Sequence, residues 1–145
     1  MLRNILMSTF LFFGIAGLAH ADFVDIPPQQ LQKFLDGHEK VVVMFDSSDP
    51  KCIACEPADG GPFKSLSKDY GPSIQFARVR WGSPWWKFPP ALKPLLQQAN
   101  IMAIPTVVGF ENTRPVFDVL GRMKNTDAVR QKIDSTLNAT PQNQK

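Results

Sequence analysis

Cysteine is scarce, with two among 145 residues. That excludes a miniature scaffold stapled by several disulfides, and it excludes a four-thiolate zinc site built without other ligands. Charge of one sign is in short supply too. Lys+Arg 16 against Asp+Glu 13 leaves +3, with no run of five like charges, so no nucleic-acid footprint is expected. No bilayer-crossing segment stands out either: the apolar stretch from Ile5 to Leu18 has 14 residues, short of the roughly 18 to 20 that a spanning helix needs. What is present, 43% hydrophobic and 20% charged, suits one compact globular domain and argues against a disordered, fibrous or polytopic membrane chain.

The first 21 residues have the layout of an export signal. Arg3 is their only charge, the apolar stretch follows it, and Ala19-His20-Ala21 is the small-x-small pattern that a signal peptidase cuts after. Cleavage would leave Asp22 as the N-terminus of a periplasmic or secreted protein without stable membrane insertion. The alternative is an uncleaved anchor. Either way both cysteines remain, and outside the cytoplasm they meet conditions that permit a disulfide.

The rest of the chain alternates between strand and helix signals. Phe23 to Ile26 is a short strand ended by Pro27-Pro28, and Leu31, Phe34 and Leu35 mark an amphipathic helix stopped by Gly37. Val41 to Phe45 is continuous and β-branched, as in a strand covered on both faces. Asp49-Pro50 supplies a helix start, with Asp as cap and Pro in the first turn, although Pro57 and Gly60-Gly61 must disturb that helix. Pro62 offers a second start for Phe63 to Tyr70. Ile74 to Trp81 is strand-like, and Ala91 to Asn100 is helix-like.

Between them, residues 82 to 90 carry Pro84, Pro89 and Pro90 and form a loop holding Trp85, Trp86 and Phe88. Thr106 to Phe110 and Pro115 to Leu120 read as a hairpin joined by the four-residue loop Glu111-Asn112-Thr113-Arg114. Val129, Ile133 and Leu137 mark a terminal helix capped by Asn125 or Thr126, and residues 139 to 145 form a polar tail. No internal repeat or domain linker is evident. Parallel strands joined through helices plus an antiparallel hairpin give an α/β fold: a central mixed sheet with helices on both faces, spanning residues 22 to 138.

Cys52-Ile53-Ala54-Cys55 follows a buried strand, Ile104-Pro105-Thr106 stands at the hairpin entry, and Gly121 lies behind the last strand. In these features the sequence resembles the thioredoxin family, with its C-x-x-C motif, its cis-proline segment and its glycine behind the last strand. The resemblance covers nearly the whole exported chain. It implies a thiol-disulfide oxidoreductase acting on protein thiols and disulfides, served by an upstream redox partner, with no cofactor beyond the Cys52–Cys55 disulfide. Two intervening residues leave the sulfurs within bonding distance. Cys52, facing a helix N-terminus, would be the nucleophile, and Cys55 would resolve the mixed disulfide. Ala103 and Ile104 would present backbone to the substrate, with Pro105 fixing the bend.

Two other uses of the pair stay open: a permanent staple, or part of a metal site. Four ligands are usual for a metal and only His38 is left in the exported chain, so no metal is expected; His38 fits a surface position near a helix end. Departures from the family pattern matter as well. Lys51 stands where many members have tryptophan, Glu56 and Pro57 follow the motif directly, and the stretch from Phe45 to Cys52 looks longer than usual. The family often buries an acid beneath the second cysteine as proton acceptor; Asp46 is the nearest candidate, against a solvated aspartate at a strand end.

Lys51 would lower the Cys52 pKa while Glu56 and Asp59 would raise it, and Ile53-Ala54 supplies no donor to a thiolate. A reductant- or isomerase-like poise is therefore expected, rather than an oxidant's. Trp85, Trp86 and Phe88 either dock a partner or fold back over the sheet edge. If they dock, a rival function follows: a noncatalytic module of a periplasmic or envelope assembly. Asn138-Ala139-Thr140 is a formal glycosylation sequon in an unpromising place, before Pro141.

Overall fold

The computed structural model describes residues 22–137. The expected signal segment, the polar tail and the sequon lie outside them. Among the described residues the strands are β1 (Val24–Asp25), β2 (Lys40–Ser47), β3 (Gln75–Trp81), β4 (Thr106–Glu111) and β5 (Arg114–Leu120). The helices are α1 (Leu31–Asp36), α2 (Gly61–Tyr70), α3 (Lys93–Gln98) and α4 (Asp127–Thr136), with 3₁₀ turns at Pro28–Gln30 and Pro90–Leu92 leading into α1 and α3. The five-stranded sheet runs β1-β3-β2-β4-β5. β1, β3 and β2 are parallel, and β4 and β5 are antiparallel to their neighbours.

β2 is central and buried on both faces, as its unbroken apolar run requires. Successive side chains of a strand point to opposite faces. Val41, Val43 and Phe45 therefore pack with Leu31 and Leu35 of α1 and Leu95 and Leu96 of α3. Val42 and Met44 pack with Phe63, Leu66 and Tyr70 of α2 and Val129 and Ile133 of α4. Each fully buried side chain of this size contributes about 1.5–3 kcal/mol relative to an exposed one. Polar ties reinforce the edges: Arg78 grips Asp25 with two hydrogen bonds, fastening β1 to β3, and the Tyr70 hydroxyl donates to Asp134 between α2 and α4.

Two expectations need correction. The hairpin loop has two residues, Asn112 and Thr113, because Glu111 and Arg114 continue the β4–β5 pairing. Both loop residues have positive φ, 49° and 69°, the backbone that a two-residue hairpin with right-handed twist demands. Second, no helix starts at Asp49-Pro50. Residues 50 to 60 form a chain of turns, and the first helix after β2 begins at Gly61, beside the Pro62 start signal. Pro57 and the left-handed Gly60 and Gly61 (φ 92° and 50°) break the segment before a helix can propagate.

Candidate active site

β2 ends at Ser47 and delivers the chain into the turns that carry both cysteines. Cys52 N–H donates to the Asp49 carbonyl at 2.9 Å and Cys55 N–H to the Cys52 carbonyl at 3.1 Å. This winding joins Cys52 and Cys55 in a disulfide with Cα atoms 5.4 Å apart. Cys52 is partly buried, Cys55 is only 8% exposed and Ile53 between them is 88% exposed. Cys52 is thus the more exposed of the two cysteines. It does not stand at a helix N-terminus, so the dipole expected to favour its thiolate is missing.

Asp49 is not a helix cap. Its Oδ1 accepts from Lys51 N–H at 3.0 Å and its Oδ2 from Trp85 N–H at 2.9 Å, which ties the cysteine turns to the aromatic loop. The Lys51 N–H above all, with Trp85 adding to it, holds the Asp49 carboxyl below the usual range. The loop itself divides. Trp85 and Phe88 fold back against the core, Phe88 lies 5.4 Å from the Trp81 ring, and Trp81 Nε1 donates to the Trp85 carbonyl. Trp86 stands out at 63% exposure.

Ile104-Pro105 is a cis peptide, and Ile104 packs in the same cluster as Cys52 and Cys55. The Ala103 carbonyl accepts from Thr106 Oγ1 at 2.7 Å, and the Pro105 carbonyl accepts from Gly121 N–H at 2.8 Å. Among the described residues, the N–H and C=O of Ile104 take no hydrogen bond. His38 lies at the end of α1, its Nδ1 2.8 Å from the Phe34 carbonyl. No cluster of three or more metal-ligating side chains occurs among the described residues.

Asp46 is fully buried rather than solvated. Its Oδ1 accepts from the N–H groups of Ser47 (2.6 Å) and Glu56 (3.3 Å), and its Oδ2 lies 3.3 Å from Arg80 Nε. Glu56, also buried, accepts the Met123 N–H on Oε1 and leaves Oε2 without a partner among the described residues. Burial raises the pKa of both carboxyls. Ser47 N–H and Arg80 oppose this most at Asp46, and Met123 N–H and Arg122 at Glu56, while the Asp46 charge adds to the rise at Glu56.

The roles of Arg80 and Glu56 are not legible from the motif. A usable signal exists, since Arg78 and Arg80 place two charges among the apolar residues of β3 and Arg80 pairs in register with Asp46. The raised pKa values have a stability consequence whose sign is fixed by proton binding. A carboxyl that holds its proton more tightly when folded makes stability fall as pH rises from its unfolded value, about 4, through the folded one. Asp46→Asn removes one such group. Its urea midpoint relative to wild type should therefore climb between about pH 4 and pH 7, and a flat or falling difference would contradict the assignment.

No protein-family model matches the sequence, and no curated protein matches it. Solved structures do. Thioredoxin f from spinach chloroplast has a TM-score of 0.57 at 16% identity, covering 82% of this chain and 97% of that one. A single-residue mutant of thioredoxin from Halobacterium salinarum gives 0.59 at 18%, covering 86% and 100%. Reduced thioredoxin from Schistosoma mansoni gives 0.56 at 22%, covering 80% and 99%. The chain therefore has the thioredoxin fold. Within that fold its disulfide is a C-x-x-C pair, Cys52-Ile53-Ala54-Cys55.

Proposed function

We propose that the protein is an exported thiol-disulfide oxidoreductase with a reductant- or isomerase-like poise, acting on protein thiols and disulfides. The observation that carries the proposal is the C-x-x-C disulfide on a thioredoxin fold, with the first cysteine the more exposed residue and a cis-proline segment packed into the same cluster. In the reducing direction, the Cys52 thiolate attacks a substrate disulfide, forms a mixed disulfide and releases one substrate thiol. Cys55 then gives up its proton, with buried Asp46 as the proposed acceptor, and attacks Cys52 Sγ. The Cys52–Cys55 bond closes, the second substrate thiolate leaves and takes a proton, and two electrons have passed to the substrate. An upstream partner must restore the dithiol.

Ile104, whose backbone groups are unengaged among the described residues, is the proposed contact for an extended substrate chain; Ala103 has already committed its carbonyl to Thr106, and Pro105 sets the bend. Reducing poise is supported by what surrounds Cys52. Strong oxidants stabilise the reduced thiolate, and here the sulfur has no helix start behind it. Export rests on the N-terminal pattern of Arg3, the apolar stretch and Ala19-His20-Ala21. Among the described residues no helix is long and apolar enough to cross a membrane.

Equilibration with glutathione buffers tests the proposal. A potential more negative than the roughly −180 to −210 mV of the secretory pathway is expected. A value at or above that range would reverse the direction of electron flow, and a pair that stays oxidised in strong reductant would make it a staple. The exposure of Trp86 favours a second possibility, a noncatalytic docking module. It requires partner binding that survives loss of both cysteines and fails with Trp86→Ala.

A further inference from the structure

In place of a helix following the cysteines, the residue directly after Cys55 is fastened from three sides. Glu56 N–H donates to Asp46 Oδ1 on β2 at 3.3 Å. Its carbonyl accepts from Arg80 Nη2 on β3 at 3.0 Å, while the same nitrogen holds the Ser47 carbonyl at 3.1 Å. Its side chain, buried, takes the Met123 N–H from the segment after β5. Pro57 comes next, so the chain has no N–H there with which to continue a helical ladder. The backbone clamps come from β2 and β3; the carboxylate alone reaches across to the segment after β5.

From this we infer that Glu56 is a positioning residue for the resolving cysteine: its carboxylate latch on Met123 N–H holds Cys55 where its sulfur meets Cys52 in the mixed disulfide. The inference rests on the proposed redox function. Resolution requires the Cys55 thiolate to attack Cys52 Sγ as the Cys52–substrate bond breaks, a displacement in which small errors of placement are costly. In the disulfide form the covalent bond itself keeps the sulfurs together. The latch therefore matters only while that bond is open. Loss of a hydrogen bond to a charged, buried group is large enough to slow such a step roughly tenfold.

Two variants separate the latch from the charge. Glu56→Asp keeps the charge and both backbone clamps but withdraws the carboxylate by roughly one C–C bond, about 1.5 Å. Glu56→Gln keeps an acceptor oxygen for Met123 N–H and removes the charge. The reduced protein is mixed with oxidised glutathione, quenched in acid at intervals and weighed by mass spectrometry to follow the glutathione adduct on Cys52. Expected are an adduct that decays roughly tenfold more slowly in Glu56→Asp than in wild type, and near wild-type decay in Glu56→Gln.

Met123→Pro, which deletes the donor instead of the acceptor, should reproduce the slow decay and serves if Glu56→Asp does not fold. A simple packing role would shift the urea midpoint without prolonging the adduct. Wild-type decay in both Glu56→Asp and Met123→Pro, or decay in Glu56→Gln as slow as in Glu56→Asp, would overturn the inference and leave the redox function intact. Failure of the reduced wild-type protein to convert oxidised glutathione to its thiol would instead remove the redox function, and the positioning role with it.

Discussion

Cys52→Ser is expected to reduce insulin disulfides no faster than the reductant supplied alone, a loss on the order of 10³-fold or more. A serine hydroxyl stays protonated at neutral pH and cannot displace a thiolate. Cys55→Ser should behave differently. Its Cys52, the more exposed cysteine of the pair, is kept, so attack still occurs, but nothing closes onto it and the chain accumulates as a mixed disulfide with insulin. Turbidity from precipitating insulin chains reads the first effect, and non-reducing electrophoresis reads the second. Equal, negligible rates from wild type and Cys52→Ser would end the enzyme proposal.

Arg80→Ala should be the most damaging of the charge deletions near the site, destabilising the fold by about 3–5 kcal/mol at neutral pH. Asp46 is fully buried, and Arg80 is the cation that touches it; Arg78, further off, is already engaged by Asp25. Truncating Arg80 strands the Asp46 charge and also strips the donor shared by the Ser47 and Glu56 carbonyls. Adding Asp46→Asn to the same chain removes the stranded charge and should return a substantial part of the loss. Acid should do likewise, because a protonated Asp46 needs no counter-charge. Urea unfolding of the two single variants and the double variant measures this. A cost below about 1 kcal/mol, the scale of an exposed pair, would mean the interaction is far weaker than its burial implies.

Much of this architecture is legible in the residue order, and the departures share a cause. The apolar run of β2, the periodicity of Val129 and Ile133 in α4 and the Pro62 start of α2 can be read because burial repeats at fixed intervals along one element. The hairpin differs from expectation at its tip. Polar Glu111 and Arg114 resemble loop residues, yet they pair with each other across the strand ends, where opposite charges facing one another suit a strand as well as a turn. The Asp49-Pro50 signal is ambiguous in the same way, since an aspartate before proline suits a turn as well as a helix start, and here Asp49 serves the turn and the aromatic loop together.

At the site, the C-x-x-C spacing and Ile104-Pro105 point to residues that the fold gathers into one cluster. Glu56 and Arg80 are out of reach of such local patterns. Their partners lie 67 residues away at Met123 for Glu56, and 33 and 24 residues away at Ser47 and Glu56 for Arg80. Only the parallel pairing of β2 with β3, and the return of the chain after β5, bring them together.

Building the cysteine segment from turns also changes what length variation does to it. In an α-helix each inserted residue rotates every later side chain by about 100°, so an insertion moves the apolar stripe off its partner. Between Pro57 and Gly61 there is no such stripe to keep in phase. A residue gained or lost there would leave the helical phase of α2 alone, and its cost would fall instead on two local ties, the Arg78 bond to the Ala58 carbonyl and the close packing of Gly60 against Phe23.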